Sequence, residues 1–264
     1  MAEFERYLKA DLVKFCQALG INTMKKTKKE LIQEAYELEK KEITEAIEKG
    51  KGYDFLTAKM EELAERYSDS LRIKIDSRKE EMLADDNSHY LVYRVLGIAT
   101  EEGRLIDEYQ NTGRFLYKYA GSFLEEAALL CLKFKNVEGG KILVENNQGQ
   151  RPKTFEIDFL DGNNAIEIKW RDATTDGDHI TKEHTRVKAV QSHGHIPIRV
   201  MFYYPQRTQA IRIQETLKTI YAGVKGEYYS GEEAWEFIKN HSGYDLKEIL
   251  TKIADKRTPE DGSK

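Results

Sequence analysis

Two short alternating segments separated by a turn constrain this chain more than any other feature in it. Thr154–Leu160 reads TFEIDFL and Ala165–Trp170 reads AIEIKW. Apolar and polar residues alternate in both, the period-2 pattern of half-buried β-strands. Between them lies Asp161-Gly-Asn-Asn164, turn chemistry suited to a hairpin. The first strand is expected to place Phe155, Ile157 and Phe159 on one face, with Glu156 and Asp158 on the other. The second places Glu167 and Lys169 on one face, with Ile166 and Ile168 opposite. If the strands pair through the turn, Asp158, Glu167 and Lys169 converge. That gives two carboxylates and one ammonium at a sheet edge.

Phosphodiester hydrolysis needs such a set. Hard cations such as Mg²⁺ prefer carboxylate oxygens and keep water positions open, so Asp158 and Glu167 are suitable ligands. A metal so held polarises a phosphoryl oxygen and lowers the pKa of its water. Lys169 can orient or deprotonate that water and stabilise developing negative charge. The same spacing also describes a salt-bridged pair on the solvent face of an ordinary strand, and D…ExK alone is a short pattern. The tight turn between two adjacent alternating strands favours the chemical reading.

The first 85 residues read as helical. Phe4, Tyr7, Leu8, Leu12, Phe15, Cys16 and Leu19 form one apolar stripe that stops at Gly20, and Thr27-Lys-Lys-Glu30 has capping-box spacing ahead of a second helix. Further helices are expected at Phe55–Tyr67, Ser70–Leu83 and Gly113–Lys135. A short strand at Lys141–Glu145 precedes the alternating pair. After it come a polar loop at Arg171–Asp178, a helix at His179–Ser192 ended by Gly194, and a buried strand at Pro197–Tyr204. Helices follow at Thr208–Ala222, Gly231–His241 and Leu246–Ala254. Ser230-Gly-Glu-Glu233 again has capping-box spacing. The order predicts an α/β fold with a small mixed sheet flanked by helices. It divides as a helical region over 1–85, a core over 86–256 and a disordered tail over 257–264.

Composition narrows the setting. With only Cys16 and Cys131, neither a disulfide framework nor a cysteine zinc site is available, as fits a reducing cytoplasm. No apolar run approaches the roughly 20 residues that span a bilayer, and the opening MAEFERYLKADL lacks a signal-peptide core. The net charge of −4 hides a local contrast. Residues 53–110 hold eight Lys/Arg against fourteen Asp/Glu, whereas 171–225 hold nine against five. A polyanion responds to the local field, so the total does not exclude nucleic acid.

Lys153–Trp170 resembles the core hairpin of the PD-(D/E)XK nuclease superfamily, especially type II restriction endonucleases. Enzymes like ApaLI are one subgroup this pattern could belong to. The resemblance implies an α-β-β-β-α-β type core, with Asp158 ending one strand and Glu167-x-Lys169 on the next. Ile157 stands where the name-giving motif has proline. The family also implies a glutamate on the preceding helix that reaches the metal. Gly121–Ala127 (GSFLEEA) has the form of that helix, with Glu125 preferred over Glu126. Implied with it are Mg²⁺, cleavage of double-stranded DNA at a short specific site, and a homodimer in which each subunit attacks one strand. A cognate DNA methyltransferase is expected in the same system.

Candidate DNA contacts follow the hairpin: Arg171, Lys182, His184, Arg186 and Lys188 can neutralise phosphates or read base edges. A zinc cluster of Asp178, His179 and His184 is disfavoured by the i,i+5 spacing of the histidines. Near the start, Leu12–Ile21 followed by Lys25–Ile32 resembles SAP-like helix–extension–helix modules. There Lys25, Lys26, Lys28 and Lys29 would suit phosphate contacts. Two competing functions share these features: a structure-specific, repair or phage-type nuclease, and a DNA-binding protein whose nuclease-like sheet is only structural.

Overall fold

The structure, a computed structural model, describes residues 12–13, 16–17, 20–171 and 177–258, and only the backbone of 177–179. Most of the expected first helix, much of the polar loop at 171–178 and the tail beyond 258 lie outside the described residues. So do the side chains of Asp178 and His179 in the zinc alternative. Eight helices and five strands follow in order: α1 (Lys28–Glu48), α2 (Gly52–Leu83), α3 (Tyr90–Val95), α4 (Thr100–Lys135), β1 (Gly140–Glu145), β2 (Thr154–Asp161), β3 (Asn164–Arg171), α5 (Gly177–Ser192), β4 (Ile196–Tyr203), α6 (Thr208–Gly223), β5 (Glu227–Ser230), α7 (Glu232–Ser242) and α8 (Leu246–Arg257). These count only the elements lying wholly among the described residues. The chain forms two compact units, Met1–Ala58 with Ala128–Lys264, and Lys59–Ala127.

The first unit is built on one sheet of order β1-β2-β3-β4-β5. β1, β2 and β3 are antiparallel, while β3, β4 and β5 are parallel. Connectivity dictates this change. Gly162, at φ 59°, turns the chain within two residues between Asp161 and Asn164, and so short a link can only join antiparallel strands. α5 and α6 are crossover helices, which return the chain to run parallel. Ala189 and Val190 of α5 pack with Val144, Phe155, Ile157 and Ala165. Val187 of α5 also packs against Tyr221 and Val224 at the end of α6. On the opposite face of β4, Phe202 meets Trp235 of α7 with ring centroids 4.4 Å apart. Helices thus cover both faces, and six consecutive residues of β4, Pro197 to Phe202, are buried.

The N-terminal part of this unit bears out the capping box. The Thr27 hydroxyl accepts from the Glu30 amide while the Glu30 carboxylate accepts from the Thr27 amide. Leu12 and Cys16 pack against Leu31, Ile32 and Ala35, with Gly20 in the left-handed region between them at φ 74°.

The second unit is helical. Tyr67 of α2 sets its ring edge-on to Tyr119 and Phe123 of α4. Arg78 donates to Asn111, and Lys79 pairs with Glu108. His89 and Tyr93 share Asp107.

Four expectations are corrected here. The two helices expected between Phe55 and Leu83 are one 32-residue helix, since Ser68 and Asp69 do not break it. The helix expected from Gly113 begins at Thr100. β5 has no counterpart in the sequence reading. Ser230 lies in that strand, and α7 starts after Gly231 with no side-chain cap, so the second capping box does not form.

Candidate active site

Asp158 owes its position to an irregularity in β2. Gly140 pairs with Leu160 but Ile142 pairs with Ile157, so β2 uses three residues where β1 uses two. The extra residue is a β-bulge at Asp158–Phe159, which interrupts the strict alternation expected of this segment and re-aims its side chains. Leu160 accordingly joins Ile157 in one apolar cluster. The β2–β3 pairing runs from the turn to Phe159 opposite Ile166. Just past it, the Asp158 carboxylate accepts from the Ile168 amide at 2.9 Å, tying β2 to β3 with a side chain.

Glu167 and Lys169 share one face of β3, as the period predicts. The Lys169 ammonium lies 2.6 Å from Glu167 Oε1 and 3.9 Å from Asp158 Oδ2, so the three side chains converge. Glu167 is buried, Asp158 nearly so, and Lys169 is about one-third exposed, which leaves the lysine as the member closest to solvent. Arg186 of α5 also donates to Glu167 Oε1. Burial pushes the Glu167 carboxyl upward, but Lys169 and Arg186 outweigh it and hold it ionised below its ordinary range. Among the described residues, Glu167 Oε2, by contrast, is buried with no hydrogen-bond partner.

A buried polar network stands behind these groups. In the parallel register of β3 and β4, Arg199 lies beside Glu167, and it is 1% exposed. Its guanidinium donates to Glu183 Oε2 at 3.2 Å, and the Tyr221 hydroxyl donates to the same oxygen at 3.3 Å. Glu183 Oε1 lies 3.4 Å from Arg186, closing the chain back to Glu167. Burial, and then the Glu183 charge, push the Tyr221 hydroxyl far upward, so it stays a neutral donor. Three carboxylates (Asp158, Glu167, Glu183) face three cations (Lys169, Arg186, Arg199). Sequence reasoning missed Glu183, Arg199 and Tyr221. The signal was Arg199 itself, a lone charge within the apolar run PIRVMFYY that demands a buried counter-charge.

The remaining candidates lie elsewhere. Lys182, His184 and Lys188 are exposed on α5, and Arg171 is exposed at the end of β3 with its guanidinium 5.5 Å from the Trp170 ring centroid. Arg186, expected among the DNA contacts, points instead into the carboxylate cluster. Lys25 and Lys29 are exposed, while Lys26 pairs with Glu34. Glu125 is half-buried on α4 in the second unit. Its neighbour Glu126 is engaged by Arg66 at 2.7 Å and by the Tyr67 hydroxyl. His193 caps the end of α5, its Nδ1 2.8 Å from the Ala189 carbonyl.

For a divalent cation, Asp158 and the unpartnered Glu167 Oε2 supply two hard oxygen donors. Mg²⁺ is commonly held by one or two carboxylates together with waters and substrate phosphate, so this donor set fits it. Among the described residues, no group of three or more His, Cys, Asp or Glu side chains is arranged to hold a metal alone.

A five-stranded mixed sheet flanked by helices, with two acids and a lysine where two strands part, is compatible with a nuclease core. A family model described as ApaLI-like restriction endonuclease matches residues 22–255. The chain belongs to that family, and thereby to the nucleases. No curated protein and no solved structure matches it. Among the described residues, no helix is long and apolar enough to cross a membrane.

Proposed function

We propose that the chain is a type II restriction endonuclease of PD-(D/E)XK type, hydrolysing both strands of double-stranded DNA at a short specific site with Mg²⁺. The observation that carries the reading is the convergence of Asp158, Glu167 and Lys169, with Glu167 clamped through one oxygen and its other oxygen unpartnered. Asp158 and Glu167 hold the ion. When bound, Mg²⁺ would polarise a phosphoryl oxygen and acidify a water. Arg186 fixes the Glu167 carboxylate, so that Oε2 is presented. Lys169 orients the attacking water and meets the charge that develops on the phosphoryl group. Arg171, Lys182, His184 and Lys188 face the DNA backbone or base edges, and the lysines at 25–29 add phosphate contacts without reading sequence.

Cutting two antiparallel strands at a symmetric site is most simply done by a two-fold dimer. The apolar side chains exposed on the second unit support that assembly. A DNA methyltransferase encoded nearby would fit the same system. The test is plasmid cleavage with Mg²⁺. Discrete fragments are expected, and Asp158→Ala, Glu167→Ala and Lys169→Ala should each abolish them while the fold persists by circular dichroism. A smear would instead indicate a structure-dependent or exonucleolytic enzyme, and no cutting a DNA-binding protein. Wild-type turnover in any of the three variants removes that residue from the catalytic set.

A further inference from the structure

Directly beyond Lys169, the C-terminal ends of β3 and β4 enclose a cavity of about 430 Å³. Its walls include Trp170 and Arg171 from β3, Tyr203 from the end of β4, and Tyr204, Gln206 and Arg207 from the segment leading into α6. The parallel register sets Arg171 beside Tyr203, so the two walls are held by the same ladder that aligns Glu167 with Arg199. Ligands of open α/β sheets bind at the carboxyl ends of parallel strands, where this cavity lies. Among the described residues, two guanidinium groups and no carboxylate line it. Glu215 of α6 accepts from the Tyr204 hydroxyl at 2.6 Å, and Lys218 adds a further cation 5.5 Å from the Tyr204 ring centroid. Tyr203 is 51% exposed, although Trp235 supports its ring edge-on.

We propose that this pocket receives one nucleobase turned out of the DNA stack beside the phosphate that is cut. The inference rests on the nuclease reading above and specifies how its substrate is held. Trp170 and Tyr203 offer π-faces for any base. The Gln206 amide carries both a donor and an acceptor for a base edge. Arg171 and Arg207 take the phosphates on either side of the displaced nucleotide. An apolar-walled hollow with a cationic rim suits a flat heterocycle on a polyanionic chain. A flat basic surface would suffice for backbone contact alone. Trp170 is the next residue after Lys169 on β3; successive side chains of a strand leave opposite faces, so it is the shared strand end that brings the pocket close to the candidate site.

The experiment first maps the cut site from plasmid fragments. Duplexes are then made with 2-aminopurine, a base analogue that brightens when unstacked, at each position in and beside that site. Binding is followed with Ca²⁺ in place of Mg²⁺, to hold the complex uncut. One position is expected to brighten with the wild-type protein. Trp170→Ala and Tyr203→Ala should remove that response and weaken binding about tenfold or more. Trp170→Phe, which keeps a ring, should restore both, and Arg207→Ala should reduce the salt dependence of binding. Site-specific cleavage by the wild type with no brightening at any position overturns the pocket and leaves the nuclease reading intact. Brightening that survives Trp170→Ala and Tyr203→Ala also overturns it. If the wild type does not cut, the nuclease reading has failed. A fluorescein-labelled single-stranded oligonucleotide then decides the pocket, by whether Trp170→Ala weakens its binding.

Discussion

The two units place their apolar residues in opposite ways. In the first, Ile166, Ile168, Val200 and Phe202 disappear into the sheet, and even its charges go inside, as Glu167, Glu183 and Arg199. In the second, Met60, Leu63, Tyr90, Leu124 and Ala127 are the buried apolar residues. Of the seventeen large hydrophobics exposed among the described residues, eleven belong to Lys59–Ala127, a far higher density than in the rest of the chain. Leu91, Val92, Val95 and Leu96 surround the short helix α3. Leu105, Ile106, Tyr109, Leu116 and Tyr117 fall within about a third of the circumference of α4, at about 100° per residue. Clustered exposure of this kind marks an interaction surface. The first unit buries charges as well as apolar residues, whereas the second leaves many of its large apolar residues exposed.

The contrast can be broken most sharply at Glu183. Glu183→Leu strands Arg199 beneath the sheet and leaves Arg186 answering Glu167 alone. Removing one member of a buried charge cluster costs about 3–5 kcal/mol, and the urea midpoint should fall accordingly. Glu183→Leu with Arg199→Met, which removes both charges, should recover much of the loss. If the single variant melts with the wild type, the network is not what holds α5 to the sheet. A smaller effect is expected at Asp161, which ends β2 and accepts from Asn136 at 2.6 Å and from His241 at 2.7 Å. Burial raises this carboxyl, but those two hydrogen bonds overcome it and leave it below its ordinary value. Because the folded value is the lower one, the stabilisation is complete above the unfolded pKa of about 3.9 and is lost as pH falls through the folded value. Asp161→Asn should cost about 1–2 kcal/mol at neutral pH. It should also flatten the loss of stability on acidification below about pH 4, as read by chemical denaturation at several pH values.

Much of the first unit was legible because its signals are local. Alternation gave β2 and β3, the Asp161–Asn164 turn gave their pairing, and Thr27 with Glu30 gave the start of α1. The bulge at Asp158 was not legible. A bulge depends on how β1 registers against β2, and nothing in TFEIDFL encodes the neighbour's register. The same holds for Glu183, which meets Arg199 across 16 residues of chain, and for Tyr221, which reaches Glu183 across 38. β5 escaped notice because four residues are too few to establish a period. In the second unit, the apolar stripe on α4 reads as a core face by spacing alone, and only the fold reveals that it is exposed.

A modest loss is expected at the N-terminal hairpin, where Thr27→Ala removes the hydroxyl that accepts from the Glu30 amide, for about 1 kcal/mol. Hydrogen exchange confined to the first turn of α1 would register it. The smallest effect on folding, and the one that most directly tests the contrast, belongs to the second unit. Leu96 is 71% exposed and Tyr109 70%. Replacing both with glutamate removes little buried area, so the denaturation midpoint should move by no more than about 0.5 kcal/mol. In a dimer that covers these residues, the same change sets carboxylates against apolar surface and should weaken self-association by at least about tenfold, from about 1.4 kcal/mol of lost burial and added desolvation. Sedimentation velocity over a concentration series reads this directly. A wild type that remains monomeric throughout, or a variant that associates as tightly, would show that the exposed side chains of α3 and α4 serve something other than pairing two copies. Double-strand cleavage would then have to come from sequential attack by one subunit, visible as accumulation of nicked plasmid before linear product.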